Sequence, residues 1–84
     1  MNIELIKNDL SKKINRKVII SVYGLRNRVT RYEGILYRLY PNIFTILDND
    51  EEQSFAYRDV ITGEVKIKYL WKYKNMVAIF LIID

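Results

Sequence analysis

The chain has no cysteine and no histidine, a single proline and only three glycines. Without cysteine there is no disulfide framework and no thiolate zinc site. Without histidine, imidazole catalysis and imidazole ligation are excluded. No glycine-rich phosphate loop is present, and no serine, tyrosine or lysine has a marked base partner. Nucleophilic chemistry needs that partner. The composition therefore predicts a protein without catalysis, without a cofactor or metal, and without a small-molecule substrate. The polar residues after Met1 predict no secretory leader. The one long uncharged run, Met76 to Ile83, is eight residues, too short to cross a bilayer as a helix. No membrane association is expected, and the absence of cysteine suits a reducing, cytoplasmic setting.

Half of the 84 residues are hydrophobic, enough for one domain with a core. The formal charge is +4 and unevenly spread. Residues 1–47 carry nine Lys/Arg against three Asp/Glu. Residues 48–59 carry one arginine against five acids, and residues 60–84 four lysines against two acids. A basic half suits nucleic acid or an acidic protein surface.

Ile3, Ile6, Leu10 and Ile14 recur at spacings of three and four, predicting an amphipathic helix over roughly 2–13. Asn2 suits its N-cap and Glu4 its first turn. Lys17 to Tyr23 reads as a strand with Val18, Ile20 and Val22 inward. Arg28 to Tyr40 reads as one long strand, with a bend or bulge expected at Gly34 because the alternation slips at Ile35–Leu36. Tyr40-Pro41-Asn42 reads as a turn. Ile43 to Leu47 returns as a strand with Phe44 and Ile46 inward. Asp48 to Glu52 reads as a polar hairpin connection without the glycine and spacing of a calcium loop. Phe55 and Tyr57 mark a short strand. Asp59 to Gly63 reads as a compact turn held by the Asp59 side chain, with Val60 and Ile61 tucked beneath the sheet. From Val65 the alternation is the cleanest in the chain, with Val65, Ile67, Tyr69, Trp71 and Tyr73 on one side and Lys66, Lys68, Lys72 and Lys74 on the other.

The candidate binding residues are Arg26, Arg28 and Arg31 in and beside the loop after Gly24, Tyr32 next to them, and Lys66 and Lys68 of the last long strand. Arginines beside exposed aromatics are what phosphate contact and base stacking need. The alternative for this tip is ordinary solvated surface. A continuous basic face with Tyr23 or Tyr32 exposed would favour nucleic acid. A face broken by the acidic hairpin would favour protein. The terminal run has high β propensity, so it needs cover. Its own sheet can supply that cover, through a hairpin at Asn75. The alternative is an intermolecular strand or packed apolar patch, and a homodimer with contacts through Trp71, Tyr73, Val77, Ile79 and Phe80 is expected.

Several stretches resemble the Veg family of small bacterial proteins. They are Gly24-x-Arg26, Gly34-Ile35-Leu36, Tyr40-Pro41-x-x-Phe44-x-Ile46 and Ser54-Phe55-x-Tyr57-x-Asp59-Val60-x-Thr62. The resemblance runs from about Leu5 to Tyr69. It implies a mainly β fold, a small five-stranded SH3-like or Sm-like barrel with an N-terminal helix. The resulting layout is one Veg-like domain over 1–84, with helix in 1–15, barrel in 17–70 and an apolar strand or tail in 71–84. The resemblance also implies a non-enzymatic cytoplasmic regulator, linked to biofilm matrix gene expression through antagonism of a transcriptional repressor. It transfers no catalytic or ligand motif, and only Arg26 falls where a basic residue is expected. Two departures stand out: the acidic hairpin is short, and the chain after Tyr69 is apolar where a polar tail is expected.

Overall fold

The computed structural model describes residues 2–71 and 79–82, with Trp71 and 79–82 described through their backbone. The chain opens with helix α1, Ile3–Ser11. The Leu5 N–H donates to Asn2 Oδ1 at 3.0 Å, which satisfies one of the orphan amides of the first turn. Ile6 and Leu10 are buried, and Ile3 and Ile14 pack beside them. Asn15 takes a left-handed φ of 72° and reverses the chain. Its N–H donates to the Leu36 carbonyl at 2.8 Å, and the Leu36 N–H donates back to the Arg16 carbonyl at 2.9 Å.

The strands are β1 (Lys17–Tyr23), β2 (Val29–Leu39), β3 (Ile43–Asp48), β4 (Glu51–Ala56), β5 (Val65–Trp71) and β6 (Ile79–Ile82), with helix α2 (Tyr57–Thr62) between β4 and β5. They form one antiparallel sheet in the order β4-β3-β2-β1-β5-β6. The sheet does not close into a barrel. β4 is bonded to β3 alone, and the chain leaves it as α2, which packs on β4, β5 and α1. β6 adds the expected apolar terminal strand to the five expected of the barrel. Its antiparallel pairing on β5, Trp71 opposite Ile79 and Lys68 opposite Ile82, covers one side of Ile79–Ile82 within the chain as expected, while the expected hairpin at Asn75 lies outside the described residues.

One face of the sheet and the helices enclose Val18, Ile20, Leu36, Phe44, Ile46, Tyr57, Val65, Ile67 and Tyr69. Phe44 lies 5.7 Å from the ring centroids of both Phe55 and Tyr57. Val18, Ile20, Phe44, Ile46, Val65, Ile67 and Tyr69 are thus buried as expected, with Val22 packed against them.

Five local expectations need correction. The irregularity of β2 lies at Tyr37, not Gly34. Pairing with β1 runs unbroken through Gly34, and the register with β3 shifts between Leu36 and Arg38. Gly34 matters because a Cβ there would stand 2.5 Å from the Leu47 carbonyl oxygen. The acidic connection is shorter than Asp48–Glu52. Asn49 and Asp50, at φ 48° and 69°, form a two-residue turn, and Glu51 and Glu52 already belong to β4. That pair of positive φ values matches the twist of a tight hairpin. Tyr57 opens α2 instead of continuing a strand, and Gly63 ends that helix at φ 89°. Inside α2 the Thr62 hydroxyl donates to the Asp59 carbonyl at 3.2 Å, so the Asp59 side chain is not the turn's anchor. Val60 packs on the core as expected, whereas Ile61 is exposed.

Candidate interaction surface

The outer face of the sheet follows from the register. On β1, Ser21 lies opposite both Arg31 of β2 and Lys66 of β5, and Ile19 lies opposite Glu33 and Lys68. Residues directly opposed in antiparallel strands project to the same side. Their neighbours Tyr32, Ile20 and Ile67 form the next row, on the core side. Arg31, Lys66 and Lys68 therefore share the outer face. Tyr23 shares it too, opposite Val29. Tyr23 is 42% exposed, and the Lys66 ammonium lies 5.4 Å from its ring centroid, within cation–π range. Buried Ser21 sits between the two cations.

The loop joining β1 to β2 carries Arg26 and Arg28, both exposed, at the same end. The Gly24 N–H donates to the Arg28 carbonyl at 2.7 Å and closes the loop. Arg26 and Asn27 both take left-handed φ, 58° and 61°. Asparagine tolerates that region, but arginine has no local compensation for it. Leu25, 88% exposed, stands at the tip.

None of Arg26, Arg28, Arg31, Lys66 and Lys68 has an ion-pair partner among the described residues, whereas Lys17 pairs with Glu33 and Lys13 with Asp9, each at 3.0 Å. Two acids lie at this surface. One is Glu33, which Lys17 neutralises. The other is exposed Glu64, just before β5, whose carbonyl accepts from the Tyr23 N–H at 2.8 Å and whose carboxylate makes no ion pair among the described residues. Glu52 is on the same side by register, through Leu47, Ile35 and Lys17, but three strands from β1. The acidic hairpin does not interrupt the Arg31–Ser21–Lys66 row.

Tyr32 is the one candidate that the structure removes. It packs against the core edge-to-face with Phe55, at 5.4 Å between ring centroids. Tyr23 takes its place as the aromatic of the basic face. Of the candidate dimer residues, Trp71 and Ile79 oppose each other and Phe80 opposes Leu70. Tyr73 and Val77 lie outside the described residues.

Two further features went unmarked in the sequence. Arg38 donates to the hydroxyls of Tyr37 (3.0 Å) and Tyr40 (3.4 Å) and lies 4.6 Å from the Tyr37 ring centroid. The local string Tyr37-Arg38-x-Tyr40 was the available signal. A groove of about 550 Å³ runs between α1 and α2 over β5, with Leu5, Leu10, Val60, Ile61 and Ile67 among its walls. The Lys13 ammonium lies at this groove, 4.2 Å from the Tyr69 ring centroid. The Tyr69 hydroxyl is buried and makes no hydrogen bond. Burial, and after it the nearby Asp9 carboxylate, raises its pKa well above the ordinary phenol value. Among the described residues no cluster of three acids is placed to hold a metal ion, and no helix is long and apolar enough to cross a membrane.

One antiparallel sheet with its core on one face and a cationic patch on the other defines a small, mainly β module. The chain belongs to the Veg family: the family model described as biofilm formation stimulator VEG matches residues 1–68, from before α1 into β5. That family is described by its role in stimulating biofilm formation, not by an enzymatic reaction. Comparison with curated proteins and with solved structures returns no match.

Proposed function

We propose that this chain is a cytoplasmic regulator with no chemistry of its own. It acts by holding an anionic partner on the outer face of β2, β1 and β5. The observation that carries this reading is the row Arg31–Ser21–Lys66, extended by Arg26 and Arg28 and free of acidic partners among the described residues. Family membership supports a small regulatory role in biofilm formation; regulation of matrix genes, with a transcriptional repressor as the protein partner, is what the resemblance implies. The strand order, with a helical segment between β4 and β5, supports placing the sheet with SH3-like and Sm-like folds, left open because β6 takes the edge of β5 that would meet β4. Fold alone does not choose a partner.

One observation favours a second reading, in which the partner is nucleic acid. Exposed Tyr23 lies among the unpaired cations, the combination that stacks a base while binding phosphates.

The test joins two assays on wild type and on Arg31→Glu/Lys66→Glu. One is expression of a biofilm matrix reporter in cells complemented with each variant. The other is binding of single-stranded RNA and duplex DNA across a salt series. Loss of complementation without nucleic-acid binding by wild type supports the protein partner. Binding that weakens with salt by a log–log slope of about −2, as three phosphate contacts to a single strand give, supports the second reading. Full complementation by the charge-reversed variant overturns both.

A further inference from the structure

The sheet has two edges, and they are built differently. β4 reads Glu51-Glu52-Gln53-Ser54-Phe55-Ala56, opens with two carboxylates and runs into α2, which packs on it. Charge and a covering helix are two of the ways proteins blunt an edge. β6 reads Ile79-Phe80-Leu81-Ile82 and has neither charge, proline nor glycine. It is bonded to β5 on one side, and no strand among the described residues lies on the other. Half of its backbone N–H and C=O groups thus point away from the ladder, and orphan groups on an apolar strand recruit another strand.

We propose that the open edge of β6 pairs with β6 of a second copy of this chain, antiparallel about a two-fold axis. Charge and closure select this occupant. An uncharged strand meeting its own copy brings no like charges together. The competing seat, the β4 edge of another molecule, is acidic and gives a head-to-tail contact that does not close, whereas β6 on β6 closes at two. The strand also lies beyond the region matched by the family model, which ends at residue 68. Dimerisation is then a property added by this chain's apolar terminus, independent of the basic face.

The geometry has a consequence for that face. A two-fold axis between antiparallel strands is normal to the sheet, so both copies keep the same side outward. Two six-stranded sheets become one continuous sheet, with both cationic patches on one side. Five strand spacings separate the two β1 strands, about 24 Å at about 4.8 Å each. A partner that reaches both gains affinity without any new contact.

The experiment uses the full chain, which is free of cysteine. Light scattering at micromolar concentration reads the mass against a monomer of 10.1 kDa. Twice that mass is expected for wild type, and the monomer mass for Phe80→Lys/Leu81→Lys with its far-UV spectrum retained. Single-cysteine variants at 79, 80, 81 and 82 decide the matter even if the lysine variant fails to fold. Only a residue near the two-fold axis brings its Cα within the roughly 4.4–6.8 Å a disulfide needs. One position, or two adjacent ones, is therefore expected to cross-link on oxidation, and Gln53→Cys on the β4 edge is not. A wild-type monomer overturns the proposal. So does a dimer in which no β6 cysteine cross-links, or in which Gln53→Cys cross-links equally well.

Discussion

Replacing Gly34 with alanine tests the packing of the sheet most directly. The added Cβ would lie 2.5 Å from the Leu47 carbonyl oxygen, 3.0 Å from its carbon and 3.4 Å from the Asp48 nitrogen. All three atoms are backbone in β3, which is held by ladders to β2 and β4. No side chain can rotate away, so one of the ladders must open. Overpacking a well-filled site costs about 1–3 kcal/mol, and a collision with backbone belongs at the upper end, about 3 kcal/mol. For a domain of this size each kcal/mol moves Tm by about 4–8 °C, so a fall of about 12–24 °C is expected. The other two glycines supply the controls. Gly63 has open space around its missing Cβ but a φ of +89°, so Gly63→Ala costs about 1–2 kcal/mol in backbone strain. Gly24 has no atom closer than 3.7 Å and no positive φ, so Gly24→Ala stays within about 0.5 kcal/mol. Urea denaturation of all three, with the m-value checked for constancy, gives the order. A Gly34→Ala variant within 1 kcal/mol of wild type, or one more stable than Gly63→Ala, would refute the close approach of β2 and β3.

Four other expectations follow from single contacts. Asn2→Ala removes the 3.0 Å cap on the Leu5 amide and lowers stability by about 1 kcal/mol, measured by urea melts. Arg26→Gly relieves a φ of 58°, so thermal melts show no loss of stability although a cation of the basic face is gone. Tyr69→Phe removes a buried hydroxyl without a hydrogen bond and changes stability at pH 7 by less than about 1 kcal/mol. The pH dependence has a definite sign, because the folded-state pKa of Tyr69 is raised. Below about pH 10, the ordinary phenol value, both states keep the proton and nothing changes. Above it the unfolded chain releases the proton first, so wild-type stability falls as pH rises towards the folded-state value. Tyr69→Phe should flatten that alkaline decline. Tyr57, raised in the same direction by burial, keeps a residual slope. Finally, Arg31→Gln/Lys66→Gln should leave stability unchanged or a few tenths of a kcal/mol higher, read in the same melts, while weakening the partner complex.

Much of this architecture was legible because strand parity is a local property. Val18 and Ile20, Phe44 and Ile46, and Val65, Ile67 and Tyr69 were assigned inward by alternation, and all are buried. The same parity held the answer for Tyr32. If Arg31 and Glu33 face outward, Tyr32 between them faces in. Choosing it for its closeness to the arginines in sequence overlooked that, and Tyr23 was the aromatic of correct parity. α2 escaped because six residues are too few to show a helical period. Its one signal was Gly63, whose left-handed cap also fits a turn. The bulge at Tyr37 has no glycine to mark it, and the glycine nearby serves a close approach instead. Barrel closure was not legible at all. It depends on whether β4 and β5 meet, a contact between distant segments that no local pattern encodes.

On the proposed reading the basic face is a surface kept ready for a partner, and it does little for the fold. Arg31 and Lys66 stand on strands separated by β1 alone, about 10 Å apart by strand spacing. Two like charges at that distance in water repel by about 0.4 kcal/mol, and physiological salt reduces this further. Keeping them unpaired therefore costs the fold only a few tenths of a kcal/mol. Glu33, one row away, shows that the sheet can place a carboxylate beside a lysine, since it pairs with Lys17 at 3.0 Å. Ser21, between the two cations, carries no such group. An acid there would neutralise the row from within. With serine in that place, both cations keep their full field for an incoming anion. Such a field raises encounter rates with a charged partner by factors that fall steeply with salt. The dependence of complementation and of binding on Arg31 and Lys66 is accordingly the quantity that ties this sheet to its biological role.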